Sequence, residues 1–417
     1  MSGSRPLRMF VGRGGLLSYA FLFALAAKAE ADSFDAVTSG PPAVSLATAG
    51  RMGDEEDPAA AQPKKAAPGK SAKETKEGHD LRVSGLFALR FEYDDNIIHY
   101  SDVDLLVFST QPSYGKYSIT QAGDWIIRPR LDLTARSKAL TGRDLEAQLR
   151  LTSWRYVENA FKSNESYQLR LKHPGFGKDN FQLTFYHAPM SYIRNFRDRP
   201  PFTSKAAPLA YTDFSYTSTS VTLSYWRRLA SVLEGKLDVK RSWRYFNQAF
   251  MENDTWEWRT GGSLTWRAIG PLKITGSYDY TDAKGRGADS AGETIEASDN
   301  GDPSFVRDTY GLDFSLGSRK GFLRVNDLTV GGEYQAFYFT SRKRADLDPL
   351  HVGRKDEVRR AEITFRTVPV VGAASLEGGY RYTKRSSTAV EVAVGMDIGE
   401  EKDYTDNRTW FGIEIPF

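Results

Sequence analysis

Five histidines, His79, His99, His173, His187 and His351, are the side chains best suited to acid–base chemistry near neutral pH. A hydrolase needs such a base within reach of a serine or a carboxylate. Ser191 follows His187 by four residues, but no Gly-x-Ser-x-Gly surrounds it. The reading is therefore not an enzyme, with no catalytic residue and no cofactor. Asp94, Asp95, Asn96, Asp102 and Asp104 offer oxygen ligands of the kind that suit Ca²⁺. Their spacing is not an EF-hand loop and lacks its closing Glu, so they read as initiators of a solvated turn, with no metal assigned. The loop Asp282–Glu293 is rich in Gly and Asp but precedes no helix pattern, which excludes a phosphate loop and leaves a mobile external loop. A chain without cysteine can hold neither disulfides nor thiolate sites. A net charge of +3 is too balanced for a nucleic-acid footprint.

The remaining chemistry lies in charges that recur at every second position. Leu145, Ala147, Leu149 and Leu151 alternate with Glu146, Gln148, Arg150 and Thr152. Leu233, Gly235, Leu237 and Val239 alternate with Glu234, Lys236, Asp238 and Lys240, and Leu272 to Asp279 and Ala374 to Arg381 repeat the pattern. Period two is the signature of a strand with one apolar and one polar face. Strands of this kind fall near 82–93, 125–136, 144–156, 164–173, 180–192, 213–228, 231–246, 254–267, 271–284, 306–317, 322–340, 356–368, 371–385 and 404–417. That makes about fourteen, with 12–16 compatible, and an even number is the rule for bacterial membrane barrels. Pro129 marks a bulge or a rim, because a closed barrel has no free edge for it.

The last segment carries the most information. Phe417, Ile415, Ile413, Phe411 and Thr409 share one parity, and Glu414, Gly412 and Arg408 share the other; Trp410 breaks the polar parity and is expected near a rim. This ending, with apolar residues at every second place before a final aromatic, resembles the C-terminal signal of Gram-negative outer-membrane β-barrels of porin-like type. The resemblance implies insertion by the barrel-assembly machinery, with Phe411, Ile413, Ile415 and Phe417 as the assembly signal. Tyr93-Asp94-Asp95-Asn96-Ile97 is similar to the turn after the first strand of several porin-like proteins, including some linked to exopolysaccharide export.

Other features agree. Arg5, Arg8 and Arg13 precede an apolar run from Leu16 to Ala27, followed by small-x-small sites ending at Ala29 and Ala31, the layout of a signal peptide over 1–31. Residues 32–80, rich in Ala, Pro and Lys, cannot bury a core and read as a disordered periplasmic segment. The barrel then spans 81–417. Mean hydropathy is −0.49 despite 13% aromatics, because each outward apolar residue is offset by an inward polar one. Long connections alternate with short ones, matching external loops and periplasmic turns. Trp125, Tyr225, Trp256, Trp258, Trp266, Tyr278, Tyr280, Tyr334, Tyr338, Tyr380 and Tyr382 sit on the outward parity and suit two aromatic girdles.

The fold expectation is thus all-β: an antiparallel transmembrane barrel in the cell outer membrane, with a disordered N-terminal extension. A Lys or Arg facing lipid at midplane costs about 2–4 kcal/mol, so the charged parity must face inward. The pore-lining candidates are Arg90, Arg130, Asp132, Glu146, Arg150, Arg170, Glu234, Lys236, Asp238, Lys240, Lys273, Asp279, Glu333, Glu362, Arg366, Glu377 and Arg381. Both signs are nearly balanced, which argues against strong ion selectivity. The functional expectation is a porin-like channel passing small hydrophilic solutes by diffusion. The alternatives are an export pore for an exopolysaccharide or other polymer, and a closed barrel acting in surface adhesion. The partners expected are outer-membrane lipid, lipopolysaccharide, the assembly machinery and small polar solutes, and not nucleic acid; the pattern leaves the oligomeric state open.

Overall fold

The computed structural model describes residues 81–111, 115–138, 145–175, 179–198, 210–267, 270–286, 301–322, 325–346, 348, 350–389 and 402–417. The expected signal peptide (1–31), the expected disordered segment 32–80 and most of the Asp282–Glu293 loop lie outside the described residues. The described strands are β1 (Arg82–Asp94), β2 (Asp124–Ser137), β3 (Leu145–Tyr156), β4 (Asn164–Pro174), β5 (Asp179–Asp198), β6 (Ala210–Arg228) and β7 (Leu233–Phe246). They continue as β8 (Thr255–Arg267), β9 (Leu272–Gly285), β10 (Phe305–Phe322), β11 (Val325–Phe339), β12 (Lys355–Thr367), β13 (Ser375–Thr388) and β14 (Tyr404–Pro416). Each pairs antiparallel with its chain neighbours, and β14 closes on β1 to complete a fourteen-stranded barrel.

Burial along these strands runs opposite to a soluble protein. Leu133, Leu149, Leu169, Leu183, Leu223, Leu237, Leu312 and Ile363 are exposed, whereas Arg90, Glu92, Arg130, Asp132, Glu377 and Glu414 are buried. An apolar belt running around the whole outer wall far exceeds the patches soluble monomers tolerate, and lipid is the medium that accepts it. The chain is accordingly a transmembrane barrel of the outer-membrane type. Aromatic rings edge the belt. Tyr93 packs on Trp125 and Tyr278 on Tyr310 toward the long-loop end, and Phe181 packs on Tyr225 toward the short-turn end. Strands β5 and β6 run beyond the expected 180–192 and 213–228, because their upper ends stay paired as a ribbon up to the Asp198–Ala210 pair.

Two local expectations are corrected. Pro129 makes neither a bulge nor a rim: β2 pairs with β1 through it, while the ladder to β3 skips Arg128 and Pro129 and resumes in the same register. The missing donor therefore costs one rung and no displacement. Trp410 is not at a rim. It is buried on the inner face of β14, flanked by the guanidinium groups of Arg90 at 5.2 Å and Arg381 at 5.7 Å. Two arginines supply cation–π partners that let a bulky ring occupy a polar parity. The apolar stretch 368–374 forms a turn closed by Val370 N–H donating to the Ala374 carbonyl, with Gly372 at φ +57°.

Closure rests on the β1–β14 seam. Phe417 and Gly85 exchange backbone hydrogen bonds of 2.9 and 2.8 Å, and a Cβ at Gly85 would collide with the Phe417 ring. Two changes should therefore weaken the same seam. Deleting Phe417, or substituting Gly85→Leu, is expected to reduce the heat-modifiable barrel recovered from outer membranes severalfold, read on unheated gels. Wild-type recovery in both would count against the seam as the limiting step.

Candidate functional site

The seventeen pore-lining candidates share the inward parity of their strands, which the ladders carry from each strand to the next around the barrel despite local register shifts between β5 and β6, β10 and β11, and β11 and β12. Most of their charge is matched by a neighbour. Arg90 donates to Glu377 at 2.8 Å, and Arg150 makes a fork to both oxygens of Asp132. Arg130 and Arg366 converge on Glu414, each at 2.9 Å. Arg381 meets Glu362 at 2.5 Å, Arg360 meets Glu333 at 3.1 Å and Lys236 meets Asp238 at 3.1 Å. Arg136 pairs with Glu146, Arg267 with Glu234, and Arg259 approaches Asp279. Partners at neighbouring heights on adjacent or next-nearest strands reach each other easily on the concave wall. The pairing spares each ion the several kcal/mol that an unpaired buried charge would cost.

One sector differs. The inner positions of β4 are Ser166, Gln168, Arg170 and Lys172, those of β5 are Gln182, Thr184 and Tyr186, and those of β6 are Ser218, Ser220, Thr222 and Ser224. No carboxylate stands among them. Lys172 rests over the Trp226 ring at 5.3 Å, and the Ser224 hydroxyl donates to Asp238 of β7. The lumen thus has an ion-paired wall and a hydroxyl- and amide-lined wall.

At the long-loop end the segment after β1 folds into the barrel mouth. Asn96 organises it: its side chain accepts from Tyr100 N–H at 2.9 Å and donates to the carbonyls of Tyr100 and Thr405. His99, at φ +56°, stacks on Tyr404 of β14 and lies 3.8 Å from Asp406. From β5, Arg194 donates to the carbonyls of Ile98 and His99 and covers the Tyr100 ring. One short loop is therefore tied to β14 on one side and β5 on the other. A helix, α1 (Asp102–Thr110), follows, capped by the Ser101 hydroxyl. Ile97, Ile98, Tyr100, Tyr117 and Ile119 then pack with Ile126, Tyr156 and Tyr192 of the wall. Below them Arg408 bridges Glu92 at 3.0 Å and Asp94 at 2.5 Å.

Two further connections are ordered at the same end. Phe250, between β7 and β8, inserts against Phe214, Tyr216 and Phe246. Between β11 and β12, Asp348 accepts from Ser341 and meets His351, and the fully buried Arg354 forms a fork to Asp356.

The acidic turn is divided rather than gathered. Asp94 and Asp95 approach Asp406 of β14, with an oxygen of each within 4.8 Å of the others, while Asp104 is held by Lys116 at 2.5 Å. Asp94 already accepts from Asn96 N–H and Arg408, and Asp95 accepts from Asn407. These donors do what a cation would otherwise do. His187 faces outward, with Nδ1 3.0 Å from the Thr219 hydroxyl and its ring over Tyr167; Ser191 is buried. Arg194, Tyr404, Asp406 and Arg408 were not singled out from sequence as a site. The Asp94–Asp95–Asn96 turn and His99 were visible in the sequence, but the partner strand lies more than 300 residues away.

No family model matches the chain, and no curated protein does. Among solved structures, the outer membrane channel DcaP of Acinetobacter baumannii is similar at 12% identity, covering 84% of this chain and 100% of that one, with a TM-score of 0.41. An anion-selective porin from Comamonas acidovorans shares 10% identity over 82% of this chain and all of that one, with a TM-score of 0.38. A bacterial polysaccharide outer membrane secretin shares 8% over 79% and 98%, with a TM-score of 0.37. Likeness this slight carries no functional inference.

The mouth loop should respond to acid. Burial, reinforced by Arg408, Lys162 and Arg194 against the opposing pull of Asp94, lowers the His99 pKa to about 3. The undocked loop would titrate at the ordinary value of 6.5, so it binds more protons between the two. Docking is then fully stable above pH 6.5 and weakens as pH falls toward 3. Hydrogen exchange across 96–111 is expected to quicken from pH 7 to pH 4, after correction for intrinsic rates, and His99→Phe is expected to blunt the change. Equal protection at both pH values would overturn this account of the loop.

Proposed function

We propose that the barrel is a weakly selective aqueous channel through which small hydrophilic solutes diffuse. Matched charge on the inner wall supports this reading best. A lumen whose carboxylates are held by arginines presents little net field to steer ions of one sign. The β4–β6 sector adds hydroxyl and amide groups that exchange hydrogen bonds with a hydrated solute. Fourteen strands exceed the roughly eight whose interior side chains can fill. The loops at the mouth would set the constriction.

Single-channel conductance of the refolded mature protein in a planar bilayer tests the proposal. Stable steps with a reversal potential near zero in a salt gradient are expected, with and without residues 32–80. Silence from a folded barrel in both forms would refute an open channel. Glu414→Gln removes the carboxylate shared by Arg130 and Arg366, so its reversal potential is expected to move toward anion preference. An unmoved potential would show that this pair does not face the ion path.

A polymer-export pore is the second reading, favoured by the same hydroxyl-lined sector with Tyr186 and Trp226 on it. Concentration-dependent block of the current by a neutral oligosaccharide, stronger than by its monosaccharide, is what that reading requires.

A further inference from the structure

We infer that the outer wall of β12 and β13, just above the lipid belt, is a binding site for the phosphate of an outer-leaflet glycolipid headgroup. Three cations meet there on the lipid-facing parity. Arg359 is the direct cross-strand partner of Lys384, and their Cβ atoms lie about 5 Å apart in such pairs. Lys355 stands two positions beyond Arg359 on the same face, and Glu357 between them accepts from Lys355 at 2.8 Å and Arg359 at 2.9 Å. One carboxylate among three cations leaves a net charge of +2. These side chains are not turned into the barrel: Arg359 is 68% exposed and Lys355 39%, and Lys384 is exposed.

Height decides what they meet. Below Arg359 on β12 the outward residues are Ala361, Ile363 and Phe365, which belong to the exposed apolar belt. Tyr334 of β11 pairs with Arg359, and Tyr382 of β13 pairs with Ala361, so the patch begins at the girdle where rings mark the interface. It lies at the long-loop end, opposite the short turns and therefore in the outer leaflet. A lone cation at this level could be satisfied by water. Elsewhere on the outer wall, Arg155 is matched one to one by Glu165, whereas here the positive charge exceeds the negative. Glu357 holds the Arg359 guanidinium and the Lys355 ammonium on a common side, and Lys384 completes a triangle suited to a phosphate monoester carrying more than one negative charge. The surface lies outside the lumen, so the inference depends on the barrel and its orientation and not on the channel reading.

Native mass spectrometry of the full mature protein, titrated with lipid A, tests it. Three lipids are compared: phosphorylated lipid A, the same lipid with its phosphates removed, and phosphatidylglycerol. Phosphorylated lipid A is expected to bind the wild type at least about tenfold tighter than the K355Q/R359Q/K384Q variant, given the contribution of each basic residue near an anionic surface. Glu357→Gln, which leaves all three cations unopposed, is expected to bind tighter than wild type. Heat-modifiable mobility verifies that each variant is folded, and conductance is expected to be unchanged in all of them. Equal binding by the triple variant would overturn the site. So would equal binding of the phosphate-free lipid, and phosphatidylglycerol binding as tightly as lipid A would overturn the choice of a glycolipid phosphate. Loss of conductance in the wild type with lipid binding intact would fault the channel reading alone.

Discussion

In hydrocarbon a backbone amide or carbonyl has no water to turn to, and each one left unpaired costs several kcal/mol. An open sheet would leave two such edges; a closed barrel leaves none. The β1–β14 seam is therefore the interaction on which the rest of this structure depends. It runs from the Leu86–Pro416 pair up to Asp94 and Arg408, and the Phe417–Gly85 backbone pair extends it at the foot. The top is reinforced by Arg408, which ties β14 to Glu92 and Asp94 of β1. Side-chain and main-chain bonds thus secure the same seam at both ends.

Closure also dictates where charge must go. With lipid outside, the polar parity of every strand is confined to one concave surface, and arginines and carboxylates meet across strands distant in sequence. The Arg130–Glu414–Arg366 group spans β2, β14 and β12. Such a wall is held by mutual neutralisation, and under the proposed channel reading the net field in the lumen would stay small. The same confinement leaves the outer rim as a place where unmatched charge can meet headgroups, as at Lys355, Arg359 and Lys384.

The mouth follows a different logic. The loops entering it are neither lipid-facing nor free in water, and they carry the largest buried apolar clusters among the described residues, around Tyr100 and around Phe214. Packing of this kind gives a loop a single docked position. The half-buried His99 lies beside that packing, stacked on Tyr404, so the position is sensitive to protonation.

Period-two alternation and connection length determined a great deal: a count of about fourteen strands, the inner and outer sets, and the end of the barrel at which long loops gather. A side chain's face in a strand depends only on its parity, and parity can be counted along the chain. Even Trp410, read from its bulk as a rim residue, obeyed its parity and faced inward. What tertiary structure alone decided was which charge meets which. Strand register around the ring sets those pairings, and register is a relation between segments hundreds of residues apart. The same holds for the Asp94–Asp95–Asn96 turn. Its composition read as a solvated loop start, and only closure against Thr405, Asp406, Asn407 and Arg408 made it the anchor of the mouth. Local pattern encodes the direction in which a residue points, whereas the identity of its neighbour is fixed by long-range pairing.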